Sequence, residues 1–151
     1  MSRAQVVYLH LCVVLMTITG GVFAWMKYGM KPADEFAVIN HPTQPWMLAA
    51  HVVLAPLCVF AFGWIFGPHI APMLTSGAAR RRPSGLWTFA ALAPMVLSGY
   101  LLQVSTADGA RRAMAIAHWA SSALFVGAYV VHVVRRWRPS MPMPPRPSSR
   151  A

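Results

Sequence analysis

Four long runs of uncharged, mostly apolar residues dominate this sequence and restrict the folds that it can adopt. They cover residues 4–26, 46–68, 86–104 and 113–134, and none of them contains a charged side chain. A helix of about 20 apolar residues rises about 30 Å, which is the thickness of the hydrocarbon core of a bilayer. The period-2 alternation of a membrane β-strand is absent. The sequence therefore predicts an all-α integral membrane four-helix bundle.

Composition and charge agree with a membrane protein and argue against nucleic-acid binding. Only 11% of the residues are charged, against roughly a quarter in soluble domains. The net charge of +10 is unevenly distributed, because nine of the 13 basic residues fall on the side of the bundle that carries both termini. These nine are Arg3, Arg80, Arg81, Arg82, Arg135, Arg136, Arg138, Arg146 and Arg150. By the positive-inside rule both termini are expected in the cytoplasm, with the basic residues facing anionic lipid head groups of the membrane.

The chain divides into two parts of different composition. Residues 1–138 contain the four apolar runs and are expected to form one membrane domain. Residues 139–151 are rich in proline, serine and arginine, and such a segment is expected to be a disordered cytoplasmic tail. In the connection between the first two runs we expect a short surface helix that ends before Asn40.

Four histidines lie inside the apolar runs, where an ionisable side chain is costly unless it is paired or ligates a metal. They are His10, His51, His118 and His132. His118 and His132 are fourteen residues apart, so on one helix they lie within about 40° of the same face and about 21 Å apart along the axis. One helix therefore offers an imidazole to each half of the bilayer.

Each of these two imidazoles has a predicted partner at its own depth. His51 lies level with His118 near the outer face, and His10 lies level with His132 near the inner face. Two neutral imidazoles are the axial ligands of a low-spin haem iron suited to electron transfer. The sequence thus predicts two haem b groups stacked about 20 Å apart across the membrane. His69 competes with His10 as the inner ligand.

Other residues have weaker claims to a cofactor. Neither Cys12 nor Cys58 belongs to a C-x-x-C-H attachment motif, so a haem would be held without a covalent bond. His41 lies in a polar loop and is expected to be solvated or to guide a substrate to the outer haem. Small positions in the spans allow a macrocycle edge to approach the backbone, or helices to pack closely. These positions are Gly20, Gly21, Gly63 and Gly127.

At these residues the chain resembles the bacterial cytochrome b561 family over about residues 4–137. It is also similar to the b-type cytochrome subunits that anchor formate dehydrogenases and nickel-iron hydrogenases. Besides the histidine spacing, the resemblance rests on Tyr8-Leu9-His10-Leu11, Ile18-Thr19-Gly20-Gly21 and Leu97-Ser98-Gly99-Tyr100-Leu101-Leu102. It implies a di-haem four-helix bundle, with His51 and His118 on the outer haem and His10 and His132 on the inner one.

The resemblance also implies partners. Members of this family exchange electrons with quinone, so ubiquinone or menaquinone is an expected substrate. Some stand alone and oxidise superoxide at the outer face, whereas others serve a periplasmic or membrane-bound dehydrogenase, so the chain is either a quinone-linked oxidoreductase or the cytochrome subunit of one. Basic residues of the outer face could steer an anion to the haem or pair with propionates or lipid phosphates. They are Lys27, Lys31, Arg111 and Arg112, and the candidates for a quinone site are His69, Arg80 and Trp87.

Two other functions fit the same sequence. A haem-free membrane anchor or assembly subunit would use its histidines only to join helices. A copper-handling protein is suggested by ten methionines and by Met141 and Met143 in the tail, because thioether sulfur suits Cu(I). Haem content and metal identity separate these functions from the di-haem cytochrome.

Overall fold

The computed structural model describes residues 1–32, 34, 36–76 and 83–137, and for Arg136 and Trp137 the backbone alone. The predicted tail, residues 139–151, and the basic cluster at 80–82 lie outside the described residues. Within the described ranges every regular element is a helix. The fold class predicted from the sequence is confirmed at this level, since the four longest helical segments are long and apolar enough to cross a membrane.

The described residues form five α-helices, which follow one another in sequence. Helix α1 is Arg3–Ala24 and continues into the π-helical turn Trp25–Gly29. Helix α2, Gln44–Ile65, runs through the π-helical turn Phe66–Ile70 into the short α3, Ala71–Thr75. The last two helices are α4, Pro83–Val104, and α5, Asp108–Trp137.

The helix ends follow from local sequence. Ser2 and Gln5 form a reciprocal capping box at the start of α1: the backbone N–H of Gln5 donates to Ser2 Oγ at 3.2 Å, and the backbone N–H of Ser2 donates to Gln5 Oε1 at 2.8 Å. Proline lies in the first turn of α2, where its missing N–H has no helical partner to lose. Helix α5 begins at Asp108, before the apolar run does, because an acidic residue in the first turn suits the positive end of the helix dipole.

The loop between the first two spans contains no helix among its described residues, so the expected surface helix there is wrong. Asn40 organises this loop instead. Its side-chain amide donates to the carbonyls of Met26, Lys27 and Met30 at 3.0–3.2 Å, and its backbone N–H donates to Gln44 Oε1 at 3.0 Å. The end of the first span is thereby tied to the start of α2, and these polar bonds compete with helix formation in the loop.

The bundle consists of two hairpins, α1 with α2 and α4 with α5, whose backbones approach closely within each hairpin. Side chains connect the hairpins, for example Phe62 with Phe125, whose ring centroids are 5.7 Å apart. We call the end of the bundle that holds the N-terminus the terminal end, and the end with the Asn40 loop the loop end. The buried core between the two ends consists of Leu9, Cys12, Val13, Cys58, Ala61, Phe62, Ile65, Ala91 and Phe125.

Candidate metal-ligating sites

At the loop end, the imidazoles of His51 on α2 and His118 on α5 face each other across the two hairpins. Their ring centroids are 6.3 Å apart and the ring planes are inclined by 85°. A metal–imidazole bond is about 2.0–2.1 Å long and the ring centroid lies about 1.1 Å behind the nitrogen, so two imidazoles on opposite sides of one ion have centroids about 6.3 Å apart. The spacing of this loop-end pair therefore has room for one ion.

A glycine on the neighbouring helix provides the space for each imidazole of the loop-end pair. A β-carbon on Gly20 would lie 2.7 Å from Cε1 of His51, and one on Gly99 would lie 2.9 Å from Cε1 of His118. Real β-carbons do not approach other atoms that closely. Each ring thus packs directly against the backbone of α1 or α4, which restricts its rotation.

The hydrogen bonds of Thr19 favour one tautomer of His51. Thr19 Oγ1 lies 3.1 Å from Nδ1 of His51. The hydroxyl has one proton, and it is donated to the carbonyl of Leu15 at 2.8 Å. With that proton engaged, the hydroxyl oxygen accepts from the ring, an arrangement that favours the tautomer of His51 with the proton on Nδ1 and the lone pair on Nε2. The carbonyl of Met16, one turn before Gly20, lies 3.3 Å from the same hydroxyl oxygen.

The same arrangement recurs at His118. Its Nδ1–H donates to the carbonyl of Met95 at 2.9 Å, and Ser98 Oγ lies 3.4 Å from the same nitrogen. Ser98 donates its own proton to the carbonyl of Pro94 at 2.6 Å. A carbonyl can only accept, so Nε2 of His118 is again the nitrogen with the free lone pair. A ring N–H held in this way is the usual outer contact of a metal-bound histidine.

At the terminal end, the ring neighbour of His132 on α5 is His69, in the π-helical turn that follows α2. Their ring centroids are 6.4 Å apart, and the ring planes are inclined by 60°. A β-carbon on Gly85 would lie 3.0 Å from Cε1 of His132, and Ser84 Oγ is 3.5 Å from its Nδ1. This terminal-end pair therefore repeats both the centroid spacing and the serine–glycine contact of the loop-end pair.

His10, the predicted inner ligand, contacts Tyr129 instead of facing His132. Its Nδ1 hydrogen-bonds to the Tyr129 hydroxyl, and the two ring centroids are 5.8 Å apart. Tyr129 lies three residues before His132 on α5, which is about one helical turn deeper in the bundle. The geometry thus brings His69 to His132, and the assignment of His10 as a ligand stays a prediction.

A cavity of about 380 Å³ opens at the terminal end, within the range of sites that hold small molecules and cofactors. Three histidines line it, His10, His69 and His132, together with Tyr129 and a mostly apolar wall that includes Phe62 and Phe89. Apolar walls with a few imidazoles suit a planar, largely apolar group that needs axial nitrogen ligands.

His41 has a local structural role in the loop. Its Nδ1 accepts the backbone N–H of Thr43 at 3.2 Å and lies 2.8 Å from the Thr43 hydroxyl. His41 therefore makes its hydrogen bonds within the turn that leads into α2.

Both candidate sites are pairs. Across the part of the chain that the structure describes, no three or more histidine, cysteine or acidic side chains come together as an all-protein metal site. A haem needs only two protein ligands, because the porphyrin nitrogens provide the other four. The donor set, two imidazoles at 6.3 or 6.4 Å, is compatible with this group and unsuited to a four-ligand structural zinc site.

The sequence singles out Thr19, Ser98 and Gly99 only as part of the family resemblance, with no role against an imidazole, and it does not single out Ser84 or Gly85. Of the four glycines singled out, Gly21, Gly63 and Gly127 have nothing within 4 Å of an added β-carbon. A signal was present in the sequence. A serine–glycine pair occurs at 84–85 and again at 98–99, and this interval of fourteen residues equals the interval between His118 and His132.

No family model, no curated protein and no solved structure matches this chain. The resemblance to the cytochrome b561 family therefore stays a prediction that rests on the quoted residues. What the fold and the sites define is an α-helical protein with four helical segments long and apolar enough to cross a membrane and two histidine pairs, one near each end of the bundle.

Proposed function

We propose that this protein is a multi-pass membrane cytochrome that carries electrons across the bilayer through two non-covalently held b-type haems. The observation that carries the proposal is the loop-end pair. Two imidazoles from different hairpins stand 6.3 Å apart, and each has its Nδ1 proton engaged so that Nε2 is available as a ligand. An imidazole nitrogen inside a membrane is costly unless it makes a hydrogen bond or ligates a metal.

In this proposal His51 and His118 hold the haem at the loop end, and His132 with His69 holds the haem at the terminal end. His69 takes the place that the resemblance gives to His10, because the ring of His69 is the one beside His132. Bound haem would supply a one-electron Fe(III)/Fe(II) couple. The chain's own residues orient the imidazoles, exclude water with the surrounding apolar helices, and set the distance between the two sites.

The direction of insertion and the redox partners belong to the same proposal. With the terminal end in the cytoplasm, the basic residues follow the positive-inside rule in a bacterial inner membrane. Electrons would pass between a donor at the periplasmic face and the quinone pool, with quinone as substrate and a periplasmic or membrane-bound redox subunit as possible partner. A haem-free membrane anchor is the competing function, and in it the imidazoles would only contact neighbouring helices.

The test is the haem content of the detergent-purified protein after expression with sufficient haem. We expect a reduced-minus-oxidised spectrum of b type and about two haems per chain by pyridine haemochrome. His51→Ala and His118→Ala should each lose one haem and keep the other. His41→Ala is the matched control, because His41 bonds within its own turn, and it should keep both. A well-folded wild-type protein without haem would overturn the proposal in favour of the anchor.

A further inference from the structure

The loop-end pair is held by two short segments of the same pattern on different helices. Residues 16–20 of α1 read Met-Thr-Ile-Thr-Gly, and residues 95–99 of α4 read Met-Val-Leu-Ser-Gly. Each segment places its hydroxyl and its glycine against the imidazole of its own hairpin, and in each the methionine carbonyl lies 3.2–3.3 Å from that hydroxyl. The first helix of each hairpin thus holds the histidine of the second.

The hydroxyl in each segment is oriented by its own helix before any ligand binds. Thr19 donates to the carbonyl of Leu15, and Ser98 donates to the carbonyl of Pro94, both four residues back along the helix. Such back-bonding fixes the hydroxyl proton and turns the oxygen lone pairs outwards. The lone pairs then accept from Nδ1–H of His51 and of His118.

We propose that Thr19 and Ser98 are positioning residues of the loop-end histidines. Thr19 offers an acceptor to Nδ1–H of His51, Ser98 offers a second acceptor beside the Met95 carbonyl to Nδ1–H of His118, and both increase the donor strength of the imidazole toward a bound iron. The inference rests on the proposed function, because it concerns the haem held by His51 and His118. An acceptor on Nδ1–H makes an imidazole a more basic ligand, and a more basic ligand stabilises the ferric form. The two hydroxyls therefore lower the midpoint potential of the loop-end haem.

The chain offers matched controls for both residues. Thr17 is also on α1 and its hydroxyl makes the same bond to the carbonyl four residues back, at 2.8 Å from Val13. Ser121 on α5 is buried like Ser98, and its hydroxyl bonds to the backbone carbonyls of Ala117 and His118. Replacing a control residue removes an equivalent hydroxyl while leaving Nδ1 of both imidazoles with its acceptors.

The experiment is a redox titration of purified holoprotein carrying Thr19→Val, Thr17→Val, Ser98→Ala or Ser121→Ala, with the loop-end haem assigned as the one missing in His51→Ala. We expect Thr19→Val and Ser98→Ala to raise the midpoint potential of the loop-end haem, or to lose that haem. The terminal-end haem should stay unchanged and reports that the bundle is folded. Thr17→Val and Ser121→Ala should titrate as the wild type does, and Thr19→Ser should restore the original potential.

The possible failures are distinct. Equal potentials in Thr19→Val, Thr17→Val and the wild type, all with two haems, would overturn the positioning role while leaving the cytochrome in place. A wild-type protein that binds no haem would overturn the proposed function itself. A second measurement is independent of haem: nitrogen-15 spectra of histidine-labelled protein should show Nδ1-protonated His51 in the wild type and in Thr17→Val. A mixture of tautomers should appear in Thr19→Val.

Discussion

The backbone of Gly20 lies directly beneath the imidazole of His51, so close that a β-carbon at position 20 would stand 2.7 Å from Cε1 of the ring. The contact joins α1 to α2 at the depth where His51 faces His118. The three atoms nearest to such a β-carbon all belong to the His51 ring, so the ring is what a methyl group would displace. The position of the His51 imidazole therefore requires that residue 20 has no side chain.

Gly20→Ala should remove the loop-end haem. The new methyl group must displace the His51 ring from its position beside His118, and overpacking of this kind costs about 1–3 kcal/mol where neighbours cannot relax. Haem stoichiometry measures the effect, and we expect one haem per chain. Gly21→Ala is the control, since a β-carbon on Gly21 meets nothing within 4 Å. Equal haem content in the two variants would contradict the role of Gly20.

The two glycines of α4 should affect opposite ends of the bundle. Gly99→Ala would crowd His118 and lower the loop-end haem, whereas Gly85→Ala would crowd His132 and lower the terminal-end haem. Redox titration distinguishes the two haems once each is assigned with a histidine variant. Gly127→Ala, on α5, should keep both haems because its β-carbon would lie in open space. Loss of the same haem from both α4 variants would disprove the assignment of the two ends.

Replacing His69 and replacing His10 should have opposite effects on the terminal-end haem. His69→Ala should lose the terminal-end haem, because His69 supplies the ring beside His132. His10→Ala should retain it, since His10 bonds to Tyr129 about one turn deeper. Electron paramagnetic resonance of the ferric protein measures the outcome through the number of low-spin signals. Retention in His69→Ala together with loss in His10→Ala would restore the ligand that the family resemblance implies.

Replacing Asn40 should lower stability without changing haem content. The Asn40 amide donates to three carbonyls at the end of the first span, and each such bond contributes about 1 kcal/mol. We expect Asn40→Ala and Asn40→Asp both to lower the midpoint of thermal unfolding in detergent, because both remove the two N–H donors, and Asp to lower it more, because its carboxylate would face three carbonyl oxygens. Val38→Ala, on the exposed part of the same loop, should unfold as the wild type does. An Asn40→Asp variant as stable as the wild type would show that these donors contribute little.

The four spans could be predicted from the sequence because uncharged length alone determines which segments can cross a bilayer. The helices exceed the apolar runs at their polar ends, as at Asp108, where capping and the helix dipole extend a helix beyond its hydrophobic part. The apolar run ends at residue 68 and does not predict that the helical segment continues from α2 through Pro68 to Thr75. A π-helical turn there accommodates the proline, and hydropathy carries no information about such a turn.

The candidate sites, too, could be predicted from the sequence only in part. The proximity of His51 and His118 follows from depth, and depth can be counted along a helix. The choice between His10 and His69 depends on which side of its helix each ring occupies, and the π-helical turn at His69 changes that side. The Thr19 and Ser98 contacts depend on hydroxyl geometry between helices. Their segments are only five residues long, too short to stand out as a repeat until the structure shows what they share.

Each hairpin contains its own means of holding an imidazole, α1 for His51 and α4 for His118, while the connection between hairpins runs through side chains such as Phe62 and Phe125. During synthesis each hairpin can therefore enter the bilayer as a finished unit, in the order in which the ribosome releases it. A haem that bound one histidine from each hairpin would then join the two hairpins. In that case the supply of cofactor would limit assembly of the mature bundle and its resistance to membrane proteases.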